Sequence, residues 1–453
     1  MAVISPFRAL RYDPSRVPVS DVVTQPYDKI SPEAQARYYQ VNPHNLVRII
    51  LGKTDPADNE NSNPYTRAAA HFDDWRRQGV FLQESQPSLY AYSQRFAVPG
   101  GYAEVERTGF IALGRVEDYS AEVVFRHEQT LAKPKADRLN LLRATRAHFG
   151  QLFMLYSDPA AEIEGVLAPS GEPDIDVRDE YGVSHRVWKI VDPTLIELVR
   201  GKMRDKKLII ADGHHRYETA LTYRDERRAS IAASPMSGVP RERSANQEFV
   251  RSGGNENAPH EFAMMTFVNM DSPGLVILPT HRLVHSLPSF SAETFQAAAR
   301  NHFSVEEVDS TVDASRATSI LREAGRSGTA LLAVAADRAF LLHKPKGHRP
   351  EIFAGFSPRQ QSLDVVQLHK CVLEHVLGIS EEAIRNQQNI SYVREASEAL
   401  ANVREGKANV AFLMNPVRME QVREIAFAGE VLPQKSTDFY PKLLSGLTIY
   451  ALE

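Results

Sequence analysis

Apolar positions along this chain come in short runs and amphipathic stripes with no sustained rhythm. Two β-rich runs, 88–98 and 107–116, flank Pro99-Gly100-Gly101-Tyr102 and predict a hairpin, because a Pro/Gly turn between such runs is a strong local signal. Further apolar runs at 6–11, 46–51, 151–156, 184–191, 207–211, 262–269 and 410–414 read as strands. So do 275–284, interrupted by Pro279, and the alternating stretch 329–343. Helical stripes are expected from Ser31-Pro32, where Ser caps and Pro suits the first position, and at 68–78, 139–148 and 193–202. Others follow up to about residue 228, then at 291–303, 312–325, 419–428 and 364–377, the last ended by Gly378. Strands and helices alternate irregularly, with no even βαβ rhythm and no fixed-period repeat. The expected class is α+β, mixed sheets with packed helices, and neither a Rossmann fold nor a barrel.

Length and composition then bound the organisation. At 453 residues, with about 150 per domain as a guide, two to four domains, or one large core with elaborations, are expected. Three parts are drawn: 1–125, 126–285 and 286–453. A Ser/Gly/Asn/Pro-rich stretch at 233–260 is expected to be a mobile loop. Hydrophobic residues make up 43% and charged residues 24%, the balance of a folded globular chain. Lys and Arg total 53 against 57 for Asp and Glu, a net charge of −4. That balance disfavours nucleic acid and anionic membrane as partners and leaves room only for a local basic pocket. Cys371 is the one cysteine, which excludes an intramolecular disulfide and any Cys-rich zinc motif. No run reaches the roughly 18–20 apolar residues of a membrane span, and Arg8, Arg11 and Asp13 precede any signal-like segment. The cytoplasm is the expected location.

Familiar fingerprints fail. Leu51-Gly52-Lys53-Thr54 has the tail of a phosphate loop, but Val47 stands where its first glycine belongs, and Leu131 breaks the zinc-protease pattern begun by His127-Glu128. The densest polar cluster is Asp212-Gly213-His214-His215-Arg216, between a short apolar strand and a helix. Gly213 permits a tight turn, the helix start offers N–H groups to a phosphate, and Arg216 adds a forked cation. Asp212 suits a divalent cation or the orientation of a histidine. A helix cap would explain Asp212 but not a His-His-Arg run set against the helix dipole. Tyr217, Ala220 and Leu221 form the stripe expected to pack this helix on a sheet.

A second cluster, Arg126-His127-Glu128-Gln129-Thr130 with Lys133, Lys135, Asp137 and Arg138, sets a carboxylate among cations, the pattern of a general base beside phosphate ligands or of a solvated loop. A third, at 433–442, carries Lys435, Ser436 and Thr437 on a turn-prone segment. Pro26-Tyr27-Asp28 and His281-Arg282 read as structural.

Together these motifs, in one order from Pro6 to about Leu447, resemble a bacterial and archaeal family of unknown function, DUF1015. The Asp-Gly-His-His-Arg run is also similar to the phosphate-binding motif of the ParB/sulfiredoxin superfamily, whose members include nucleotide-dependent free-serine kinases. In those kinases a His-Glu pair precedes the motif, and His127-Glu128 matches it. That resemblance implies a ParB/sulfiredoxin-like core with large elaborations. It also implies transfer of phosphate from ADP or ATP, with Mg²⁺, to the hydroxyl of L-serine or a similar small hydroxy acid. On it, Glu128 takes the hydroxyl proton beside His127, Asp212 places the metal, and Gly213, His214, His215 and Arg216 hold the phosphoryl group. Arg126, Thr130, Lys133, Lys435, Ser436 and Thr437 would meet nucleotide or substrate. The alternatives are a ParB-like nucleotide switch without a small-molecule product, and a metal-dependent phosphatase using His127, Asp212, His214 and His215.

Overall fold

A computed structural model describes residues 1–101, 103–128, 132–233, 257–347 and 350–453, without the side chains of 132–134. Most of the 233–260 stretch and Thr130 lie outside the described residues. The chain forms two compact units, where the sequence reading drew three parts. The first comprises 1–126, 130–276 and 441–453; the second comprises 127–129 and 277–440.

The first unit is built on a mixed sheet, nine-stranded among the described residues. From one edge its strands are Val124–Phe125, Leu208–Asp212, Leu152–Tyr156, Phe262–Asn269, Glu104–Arg115, Leu89–Ala97, Ser184–Ile190 and Ile175–Arg178, with Ile4–Ser5 beside Glu104–Arg115. The expected hairpin is present, Tyr90 pairing with Ile111 and Ala97 with Glu104. Leu152–Tyr156 is buried at every position, as a central strand covered on both faces requires. The helix His214–Ala233 seats Tyr217 and Ala220 in this core, as its apolar stripe predicts, and Tyr217 donates its hydroxyl proton to the Glu117 carbonyl at 2.6 Å. Full burial of such a side chain contributes about 2 kcal/mol.

The apolar run 46–51 is a correction. It forms not a strand but one helical turn, Val47–Ile50, with Ile50 N donating to Leu46 O and Leu51 N to Val47 O. Asn45 Oδ1 accepts from Val47 N and so stabilises the turn's start. Leu46, Ile49 and Ile50 then join Phe72 and Trp75 in a second apolar cluster of this unit. A short, mostly apolar run fits a buried strand and a buried helical turn equally, and tertiary packing decides.

In the second unit six antiparallel strands order as Ser304–Val308, Ala339–His343, Ala330–Ala335, Val410–Met414, His281–Val284 and Ile390–Val393. The helices Ala314–Ala324, capped by Asp313, and Ala396–Arg404 pack Leu321, Leu400 and Val403 onto its apolar face. The long helix expected at 364–377 begins at Asp364 and widens into π-helical turns over Leu368–Val376.

Candidate functional site

The Leu208–Asp212 strand carries the densest cluster to a sheet end, and its pairing shows how. Ile209 faces Leu155 and Ile210 faces Met154, but Asp212 faces Phe153, so two residues oppose one. A bulge of this kind re-aims the side chain that follows it. Gly213 then turns the chain at φ +95°, where a Cβ would lie 3.0 Å from both Leu152 Cδ2 and Arg216 Nη2. Glycine is needed there for conformation and for space.

Arg216 is locked by two neighbours. Its Nη1 donates to the Gln151 carbonyl at 2.6 Å and its Nη2 to Asp212 Oδ2 at 2.9 Å. A Cβ at Gly150 would stand 3.1 Å from the same guanidinium, so the backbone on that side is pared away to admit it. The other Asp212 oxygen, Oδ1, accepts from the buried ammonium of Lys442 at 3.4 Å. Burial would raise the Asp212 carboxyl, but Lys442, Arg216, Lys29 and His214 together hold it well below the usual carboxylate range. One carboxylate thus lies among three permanent cations at the start of a helix, a place that suits an oxyanion.

A cavity beside this turn is walled by Tyr27, Arg138, His148, Arg216, Thr219 and Ser445 among others. The Arg138 guanidinium lies 4.0 Å over the Tyr27 ring, whose hydroxyl is pushed up to about 12 by burial and by Asp28 against the pull of Arg138. Burial and Arg216 bring His148 down to about 4, so it is a neutral ring at pH 7. One turn further along the helix, Glu218 receives Lys135 at 2.8 Å and Arg126 at 3.6 Å.

The second unit treats its carboxylate differently. Glu128 Oε1 accepts from Ser436 N at 3.1 Å, Thr437 N at 3.2 Å and Thr437 Oγ1 at 3.1 Å. With the Thr437 proton directed to Glu128, the 2.8 Å contact between Thr437 Oγ1 and His127 Nε2 makes the ring nitrogen the donor, which assigns that proton to Nε2. The segment is pinned by Leu432 N donating to His127 O at 2.7 Å and by the buried Arg282 donating to Lys435 O at 3.0 Å. Lys435 has φ +57°, a left-handed turn that places Ser436 N and Thr437 N toward one acceptor. Burial lowers Arg282 to about 10, and burial followed by Arg282 lowers His281 to about 4. His281 Nδ1 accepts from Met414 N, so the His281-Arg282 pair has structural contacts.

The sequence-predicted residues therefore fall into two groups. Asp212, Gly213, His214, His215, Arg216 and Arg126 belong to the first unit; His127, Glu128, Lys435, Ser436 and Thr437 belong to the second. Lys133 lies in the helix Ala132–Thr145, its side chain outside the described set, and Thr130 is likewise not described. Sequence reasoning missed Lys29 and Lys442 as partners of Asp212, although both stand within the motifs that carry the family resemblance. The Mg²⁺ expected at Asp212 does not fit the residues present. Both oxygens of that carboxylate face cations, and among the described residues no group of three His, Cys, Asp or Glu could hold a metal ion. Among the described residues no helix is long and apolar enough to cross a membrane.

Comparison with known proteins gives three solved structures to report. A free serine kinase in complex with AMP is 12% identical with a TM-score of 0.33, covering 72% of this chain and 89% of its own. A conserved hypothetical protein from Pyrococcus furiosus is 11% identical, TM-score 0.34, covering 72% and 91%. SbnI from Staphylococcus aureus, truncated at its C-terminus, is 8% identical, TM-score 0.32, covering 74% and 87%. No curated protein matches the chain. Residues 4–366 match the family model described as "Protein of unknown function (DUF1015)", and the chain belongs to that family.

Proposed function

We propose that the protein is a phosphotransferase that moves a phosphoryl group from ADP or ATP to the hydroxyl of L-serine or a similar small hydroxy acid. One observation carries the reading: at the 212–216 turn Arg216, Lys442 and Lys29 act on a single carboxylate at a helix start. Such a gathering of fixed cations suits the oxygens of a transferring phosphoryl group, where electrostatic stabilisation and positioning are the main catalytic contributions. Asp212 acts here by holding Arg216 and Lys442 in place before a ligand arrives. In the reaction a substrate oxygen bonds to phosphorus as the bond from phosphorus to the nucleotide oxygen breaks. The hydroxyl proton passes to a base, the role given to Glu128. Three donors to Oε1 fix the orientation of that carboxylate. The experiment is direct: incubate the purified full chain with L-serine, Mg²⁺ and either ADP or ATP, and measure O-phosphoserine by mass spectrometry. Product with at least one nucleotide is expected; a folded protein that makes none with either contradicts the reading.

A further inference from the structure

The residues dismissed as the tail of a phosphate loop line a separate cavity of the first unit, of about 600 Å³, within the range of small-molecule sites. Arg48, Lys53, Thr54, Arg67 and His71 contribute to its wall, with Tyr39 beneath. They come from three elements. Arg48 sits on the one-turn helix Val47–Ile50, Lys53 and Thr54 on the loop after it, and Arg67 and His71 one turn apart on the helix Pro64–Arg77.

Charge is not balanced across this wall. Asp58 is taken up by Arg67, which also donates to the Lys53 carbonyl at 2.9 Å. Asp55 accepts from Ala57 N of its own turn at 2.9 Å. Arg48 and Lys53 meet no carboxylate among the described residues. Both lie instead against the Tyr39 ring, at 4.4 and 4.6 Å from its centre. Arg48 is fixed by donating from Nη2 to the Tyr39 carbonyl at 2.7 Å, and this leaves its buried Nε with no acceptor among the described residues.

We propose that this cavity is a second anion site, independent of the 212–216 turn, for a small polyanion bearing phosphate or paired carboxylates. Arg48 and Lys53 supply the charge, Thr54 and His71 neutral hydrogen bonds, and the ion pair with Asp58 restrains Arg67. The test titrates the full chain calorimetrically with inorganic pyrophosphate and, in a separate arm, with citrate; the two arms tell a phosphate ligand from a carboxylate one. At least one probe should give a binding step that survives Arg216→Gln, so its outcome is separate from that of the phosphotransferase reading. That step should weaken about tenfold in Lys53→Gln, whose side chain is exposed and leaves the fold intact, and at least as much in Arg48→Gln. It should tighten severalfold in Asp58→Asn, where Arg67 is released from its carboxylate. Absence of binding by both probes, or a step indifferent to Lys53→Gln and Asp58→Asn, overturns the proposal.

Discussion

Two carboxylates of this protein, Asp212 in the first unit and Glu128 in the second, are held by opposite means. Asp212 is gripped by cations: Arg216 on one oxygen, Lys442 on the other, with Lys29 and His214 adding to the field. Glu128 is held on Oε1 by neutral donors, two backbone amides and a hydroxyl. The first arrangement makes the carboxylate a counterion, which fixes cations that an incoming oxyanion can share. The second makes it an oriented acceptor, its geometry set by a turn and its hydrogen bonds made by uncharged groups, with the buried Arg282 in electrostatic reach. Both are carboxylates close in sequence to a histidine; what they can do differs because their partners differ.

This contrast can be broken by substitution, beginning with the largest effect. Asp212→Asn removes the carboxylate that Arg216 and Lys442 share and should cost about 3 kcal/mol in chemical denaturation. Its pH dependence has a definite sign. A carboxyl lowered by folding stabilises fully above its unfolded value near 3.8 and loses that contribution as pH falls from there through the folded value. His148 and His281, lowered by burial from 6.5 to about 4, act in a different window. They stabilise fully above 6.5 and lose that contribution between about 6.5 and 4, as the unfolded chain takes up protons first. Wild-type protein should therefore lose stability in two stages, and Asp212→Asn should have a smaller lower one, since Asp179 and Glu84, also lowered by folding, still contribute to it. Next, Gly213→Ala should cost about 2 kcal/mol by forcing a side chain into φ +95° against Leu152 and Arg216, seen as a shifted denaturation midpoint. Thr437→Val, which removes the hydroxyl shared by His127 and Glu128, should cost about 1 kcal/mol by the same assay. Glu128→Gln should be the mildest for stability, within about 0.5 kcal/mol, because an amide oxygen can still accept the Oε1 bonds. It should nevertheless abolish phosphoserine formation while leaving nucleotide affinity intact.

The same contrast explains what could be read from the chain. The 212–216 turn was legible because a strand, a glycine and a helix start are contiguous, and their chemistry follows from local rules. The hairpin and the Tyr217–Ala220 stripe were legible for the same reason. Lys442 was not, since its pairing with Asp212 spans 230 residues and the motif that contains it divides between two units at 440/441. Glu128, Ser436 and Thr437 were each singled out, but not their pairing, which spans 308 and 309 residues. Val47–Ile50 was misread because its short, mostly apolar run fits two backbones, and only packing against Phe72 and Trp75 selects the helical turn.

The central claim, that the cations around Asp212 form a phosphate site, is tested most directly by calorimetric titration of ADP into wild-type, Arg216→Gln and Glu128→Gln proteins. The account predicts binding to wild-type and Glu128→Gln with similar affinity, and at least a hundredfold loss in Arg216→Gln. ADP binding that is unchanged by Arg216→Gln in a folded protein would contradict it.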